Sequence, residues 1–256
     1  MKKIKVSAVS FLNSSPFIYG INHSEIKNEI ELSLDIPSVC SDKLLYNKAD
    51  LGLIPVAEIP ALSESYIVSD YCISATGKVN SVLLFSEVPL MEIEMILLDY
   101  HSRTSVQLLK ILAQHHWKIH PEFYNAGLEY EHSIEGTTAG LVIGDRALLM
   151  KHKFKFQYVY DLSEAWFEMT SLPFVFACWV SNKKLPENFL QHFNTALMHG
   201  VNHIDEVVAE NYNFKLPASE IKQYLTKNIS YVLNDDKKKG MELFFSFLKK
   251  EKIYQQ

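Results

Sequence analysis

Four short stretches place hydroxyl, amide or charged side chains where a helix begins, and each could hold a small anion. They are Ser10 to Pro16, Pro37 to Asp42, Ser102 to Ser105, and Gly144-Asp145. A helix start presents unpaired backbone N–H groups and a partial positive charge, which suits a carboxylate. Ser38, Ser102, Thr104 and Ser105 add hydroxyl donors. Arg103 adds a planar cation able to take a carboxylate through two parallel hydrogen bonds. Each stretch also has a plain structural reading. Ser38 can cap a helix, Arg103 can pair with Asp99, and Asn13 before Ser14-Ser15-Pro16 can be a turn residue.

Other chemistries lack their residues. The ten histidines include no HExxH spacing, and Cys40, Cys72 and Cys178 are far apart, so neither a metal site nor a disulfide framework is expected. No GxSxG, GxxxxGK[ST] or GxGxxG occurs, which leaves a nucleotide cofactor without support; no cofactor is expected. A net charge of −5 argues against nucleic acid as a partner, and Lys237-Lys238-Lys239 reads as a solvated helix start. No stretch reaches the roughly 18 apolar residues that span a bilayer. Met1 to Val6 is not followed by the apolar run of an export signal, so a soluble cytoplasmic protein, off the membrane, is expected. The partner left is a small molecule.

The elements that must position these residues follow from periodicity. Strands are expected at Lys5 to Phe11, Glu31 to Ile36, Ala49 to Pro55, Asn80 to Phe85, Glu94 to Asp99, Ala139 to Ile143 and Pro173 to Val180. Helical patterns separate them, near Phe17 to Gly20, from Pro37-Ser38, after Ser102 and over Arg146 to Lys151, which implies a mostly parallel sheet with crossover helices. Helices follow at Asn188 to Asn202, Ile204 to Asn211, Pro217 to Thr226 and Lys238 to Lys252. Trp166, Phe167, Phe174, Phe176 and Trp179 read as core and hinge packing. The order points to two α/β lobes with a ligand cleft and a two-strand hinge, the type II periplasmic-binding-protein-like plan. Residues 1–88 plus 178–256 form the first lobe and 89–177 the second. A single doubly wound sheet is the rival arrangement.

An ordered set of blocks carries a family resemblance. Val9-Ser10-Phe11-Leu12-Asn13 comes first, then Asp35-Ile36-Pro37-Ser38, Leu53-Ile54-Pro55 and Asn80-Ser81-Val82. Leu98-Asp99 with Ser102-Arg103-Thr104-Ser105-Val106 follows, then Ile143-Gly144-Asp145, Tyr160-Asp161-Leu162, Trp166 and Leu172 to Ala177. Together, over residues 4 to about 182, they resemble the chorismate dehydratases of the futalosine route to menaquinone. Arg146 departs from the family pattern, in which a small residue is common after Gly-Asp.

The resemblance implies a lyase that removes water from chorismate to give 3-[(1-carboxyvinyl)oxy]benzoate, with Asn13 and Ser81 at the positions linked to catalysis. Ser38, Ser102, Arg103, Thr104, Ser105, Gly144 and Asp145 are then the expected substrate-binding groups. Asn13 cannot serve as a base, because an amide does not ionise usefully. Ser81 is a poor base without a partner to take its proton, and the sequence shows none. A carboxylate of the substrate as the base is the reading that remains open. A non-catalytic solute-binding protein, or the sensing half of a regulator, would use the same helix-start donors.

Overall fold

The computed structural model describes residues 3–211 and 213–250. In chain order the first elements are β1 (Ile4–Val9), α1 (Ser15–Asn22), β2 (Ile30–Asp35), α2 (Pro37–Leu45), β3 (Leu51–Pro55) and β4 (Tyr66–Ala75). The next group is β5 (Val82–Ser86), β6 (Met95–Leu98), α3 (Thr104–Ile111), β7 (Glu122–Asn125), β8 (Thr138–Ile143), α4 (Gly144–Lys153), β9 (Tyr158–Asp161) and α5 (Leu162–Thr170). The chain then runs through β10 (Phe174–Ser181), α6 (Glu187–Asn202), α7 (Ile204–Glu210), α8 (Ala218–Gln223), β11 (Ser230–Val232) and α9 (Asp235–Lys250).

Hydrogen bonding sorts the strands into two sheets, one in each lobe. The first has the order β11-β4-β10-β3-β1-β2 and the second β7-β6-β8-β5-β9. A mostly parallel sheet was the expectation from sequence; both sheets are mixed. β1 runs parallel to β2 and β3, whereas β10 runs antiparallel between β3 and β4, and β5 antiparallel between β8 and β9. A buried strand such as β3, with all five residues covered, reads as a continuous apolar run and carries no sign of its direction. Sheet membership changes between Ala75 and Val82 and again between Asp161 and Phe174. Both changes precede the 88/89 and 177/178 divisions expected from sequence, because β5 pairs with β8 and β9 while the whole of β10 pairs in the first sheet.

The two crossings are pinned. Asp161 caps α5 by accepting the N–H groups of Ser163 (3.0 Å) and Glu164 (3.2 Å), and its other oxygen accepts the N–H of Asn80 at 2.7 Å. Asn80 has φ +61°, a left-handed conformation that Asn tolerates better than branched residues. Trp166 of α5 is fully buried against Phe174 of β10 and Phe244 and Phe247 of α9, with ring centroids 5.3 to 6.1 Å apart. Phe174 and Trp179 are likewise core, whereas Phe167 is partly exposed and Phe176 faces the cleft described below.

The C-terminal helices pack back on the first lobe. α6 crosses α1 so closely that a Cβ on Gly200 would lie 1.7 Å from the Pro16 carbonyl oxygen, and one on Gly20 1.9 Å from that of Ala196. α9 corrects one reading from sequence. Lys237 is buried, not solvated: its ammonium donates to Ser230 Oγ (2.7 Å) and the Val232 carbonyl (2.5 Å). The triple-lysine run hides the helical period, on which Lys237 shares a stripe with Gly240, Met241, Phe244 and Leu248. The expected end of this helix at Lys252 lies outside the described residues.

Candidate functional site

β1 and β8 both end on loops that begin short helices, and these loops face each other between the lobes. They close around a partly enclosed cleft between the lobes. Phe11, Ile73 and Phe176 on one side and Ile143 on the other make its walls apolar. Polar groups reach it from three directions: Asn13 after β1, Ser81 at the first crossing, and Ser102, Thr104 and Ser105 at the start of α3. None of the described residues that line the cleft carries an ionisable side chain.

The α3 start is held by its own hydroxyls. Ser102 Oγ accepts the Ser105 N–H at 3.0 Å, occupying one of the free N–H groups of the first turn. Thr104 Oγ1 accepts the N–H of Ala57, from the first lobe, at 3.1 Å. The Thr104 hydroxyl therefore ties the lobes together.

The α4 start is a second tie. Gly144 has φ +63°, and a Cβ there would lie 2.8 Å from the Phe11 ring, so glycine is required both by backbone and by space. Its N–H donates to the Ser81 carbonyl at 2.8 Å. Asp145 Oδ1 accepts the N–H of Leu12 at 2.9 Å. Burial pushes the Asp145 carboxyl up to about 6, only partly offset by that N–H.

Behind these loops lies a buried carboxylate, Asp99. It accepts the N–H groups of His101 (2.8 Å) and Ile143 (3.1 Å), which fixes the starts of α3 and α4 relative to each other. Its cation is Arg146, whose guanidinium donates to Asp99 at 2.5 Å and to Glu131 at 2.6 Å and lies over the Tyr100 ring, 5.0 Å from its centroid. The residue that departs from the family pattern thus fills a structural role.

The residues expected from sequence divide in two. Asn13, Ser81, Ser102, Thr104, Ser105 and Gly144 line the cleft. Ser38, Arg103 and Asp145 do not. At α2 it is Pro37 that faces the cleft, and Ser38 sits one position inside the helix, whose cap is Ile36, making no side-chain capping bond. Arg103 points away to the rim, 3.9 Å from Asp42 of the first lobe, with both side chains half exposed. Neither it nor any other Lys or Arg stands in the described cleft lining.

One residue escaped the sequence reading. Tyr224, in the π-helical turn that follows α8, is buried and donates its hydroxyl proton to Ser81 Oγ at 2.8 Å. The Asn13 amide lies near the same phenol. Burial raises the Tyr224 pKa, so the phenol stays protonated. Tyr224 lies 143 positions from Ser81, in a polar helical tail with no local motif, so no sequence signal pointed to it.

Comparisons with known proteins agree with this architecture. A solved protein of Archaeoglobus fulgidus superposes with a TM-score of 0.77 at 14% identity, covering 98% of both chains. A Candida albicans protein described as having the generic periplasmic binding protein fold gives 0.67 at 12% identity, over 97% of this chain and 95% of that one. The fold is therefore periplasmic-binding-protein-like. A chorismate dehydratase of Thermus thermophilus is 29% identical over 88% of this chain and 82% of its own length. One of Campylobacter jejuni is 26% identical over 85% and 83%. The family profile described as menaquinone biosynthesis matches residues 4–250, and the chain belongs to that family.

Proposed function

We propose that the cleft dehydrates chorismate to 3-[(1-carboxyvinyl)oxy]benzoate, the first aromatic compound of a futalosine-type route to menaquinone. The support is the family match over 4–250 together with relatives that are chorismate dehydratases. The observation that carries the mechanism is the cleft lining itself. It offers hydroxyls, an amide and a helix start, but no ionisable side chain among the described residues.

Such a lining suits a dianion whose own carboxylate does the proton work. The enolpyruvyl carboxylate hangs from the C3 ether oxygen and can fold back on the C3 proton. When it takes that proton, the electron pair spreads through the ring diene to the ring carboxylate. Hydroxyl donors of Ser102, Thr104 and Ser105 at the α3 start meet that growing charge. The C4–O bond then breaks, the ring becomes aromatic, and the departing oxygen leaves as water with the proton the carboxylate had taken. In this scheme Asn13 and Ser81, both in the cleft lining, hydrogen-bond the C4 hydroxyl as it leaves. Holding the folded-back geometry is the larger part of the work.

Cys40, Cys72 and Cys178 are all buried free thiols, which supports a reducing, cytoplasmic setting. Among the described residues no helix is long and apolar enough to cross a membrane. Incubation with chorismate tests the assignment: the aromatic ether is the expected product. Tight binding with no product would instead support a carboxylate-binding protein of the same fold.

A further inference from the structure

Ser81 is held from two sides. Its carbonyl accepts the Gly144 N–H at 2.8 Å, and its hydroxyl oxygen accepts the Tyr224 proton at 2.8 Å. It is almost wholly buried yet lines the cleft. A phenol is a far stronger acid than an aliphatic alcohol, so between these two hydroxyls the phenol donates. The Asn13 amide lies near the same phenol. Tyr224 thus fills the acceptor side of Ser81, and among the described residues no protein acceptor takes the Ser81 proton.

We propose that Tyr224 is a positioning residue for the dehydration: by filling the acceptor side of Ser81 Oγ it aims the Ser81 proton at the departing C4 oxygen. The inference rests on the dehydratase reading above. No proton leaves Tyr224 in this scheme, because burial raises its pKa and keeps the phenol neutral. Its effect is directional and cooperative: a hydroxyl that accepts one hydrogen bond donates a stronger one. The C-terminal segment supplies no residue to the cleft lining described above, and reaches the chemistry through this one side chain behind Ser81.

A double-mutant cycle with Tyr224→Phe and Ser81→Ala tests this, because Phe keeps the buried ring and removes only the hydroxyl. Tyr224→Phe is expected to lower kcat roughly 10- to 100-fold with KM within about threefold, and to cause no further loss in the Ser81→Ala background. An unchanged kcat, or an equal loss in both backgrounds, overturns the proposal. A crystal structure of Tyr224→Phe gives a readout free of turnover. Ser81 Oγ leaving its original rotamer supports the proposal, and an unmoved Oγ overturns it. If the wild-type protein makes no product from chorismate, the dehydratase reading falls alone, and the Ser81 rotamer still decides whether Tyr224 positions it.

Discussion

Asp145, at the start of α4 in the second lobe, accepts the backbone N–H of Leu12 in the first lobe at 2.9 Å. This single bond joins the loops that follow β8 and β1, on either side of the cleft. It is made by a carboxylate that burial has pushed up to about 6, from an ordinary value near 4.

The fold therefore works against the ionised form of Asp145. Between pH about 4 and 6 the folded protein holds a proton at Asp145 that the unfolded chain has lost, so stability falls as pH rises through that window and is then level. The cost above pH 6 is on the order of 3 kcal/mol, from a shift of about two units. Asp145→Asn keeps a carbonyl oxygen for the Leu12 N–H and removes the charge. Urea unfolding is expected to show the variant more stable than wild type at pH 7.5, with the gain shrinking toward pH 4. A loss of stability at pH 7.5 would contradict the account.

Arg146→Ala leaves the fully buried Asp99 carboxylate without its cation. Breaking a buried pair by removing one partner costs about 3–5 kcal/mol. The expected result is a fall of that size in unfolding free energy at pH 7. Arg103→Ala, at a half-exposed pair 3.9 Å long, is expected to cost under about 1 kcal/mol. Equal costs for the two variants would mean that the Asp99 network does not hold the α3 and α4 starts.

Asn13→Ala removes an amide from the cleft. Turnover of chorismate is expected to fall about 100-fold while the dissociation constant measured by calorimetry changes by less than about fivefold. Ser81→Ala is expected to behave alike. Full turnover in either variant removes that residue from the chemistry.

How far these features could be read from sequence differs with their range. The helix starts at Ser102 and Gly144, and the loops before them, follow from local apolar runs ending in polar residues. β4 did not follow, because Ser69 and Asp70 interrupt its pattern. Both are accommodated by Asn194 of α6, whose Oδ1 takes the Ser69 hydroxyl at 2.7 Å and the Asp70 N–H at 3.0 Å. Strand direction was illegible for a related reason, since a buried strand looks the same either way. At the site, Asn13 and Ser81 were named through resemblance, and the Tyr224–Ser81 bond depends on a fold-back of over a hundred residues. Arg103 and Arg146 show the limit of residue-type reasoning. Both stand at helix starts beside Asp99 or its neighbours, and only packing decides which one turns inward.

The central claim is that a cleft of neutral donors dehydrates chorismate with the substrate's own side-chain carboxylate as the base. The direct measurement compares conversion of chorismate with that of its analogue bearing an amide in place of the enolpyruvyl carboxylate, each at saturating concentration. The account predicts aromatic product from chorismate and none from the amide, although the amide still binds. Comparable turnover of the amide would show that the protein supplies a base, and no turnover of chorismate itself would remove the dehydratase assignment.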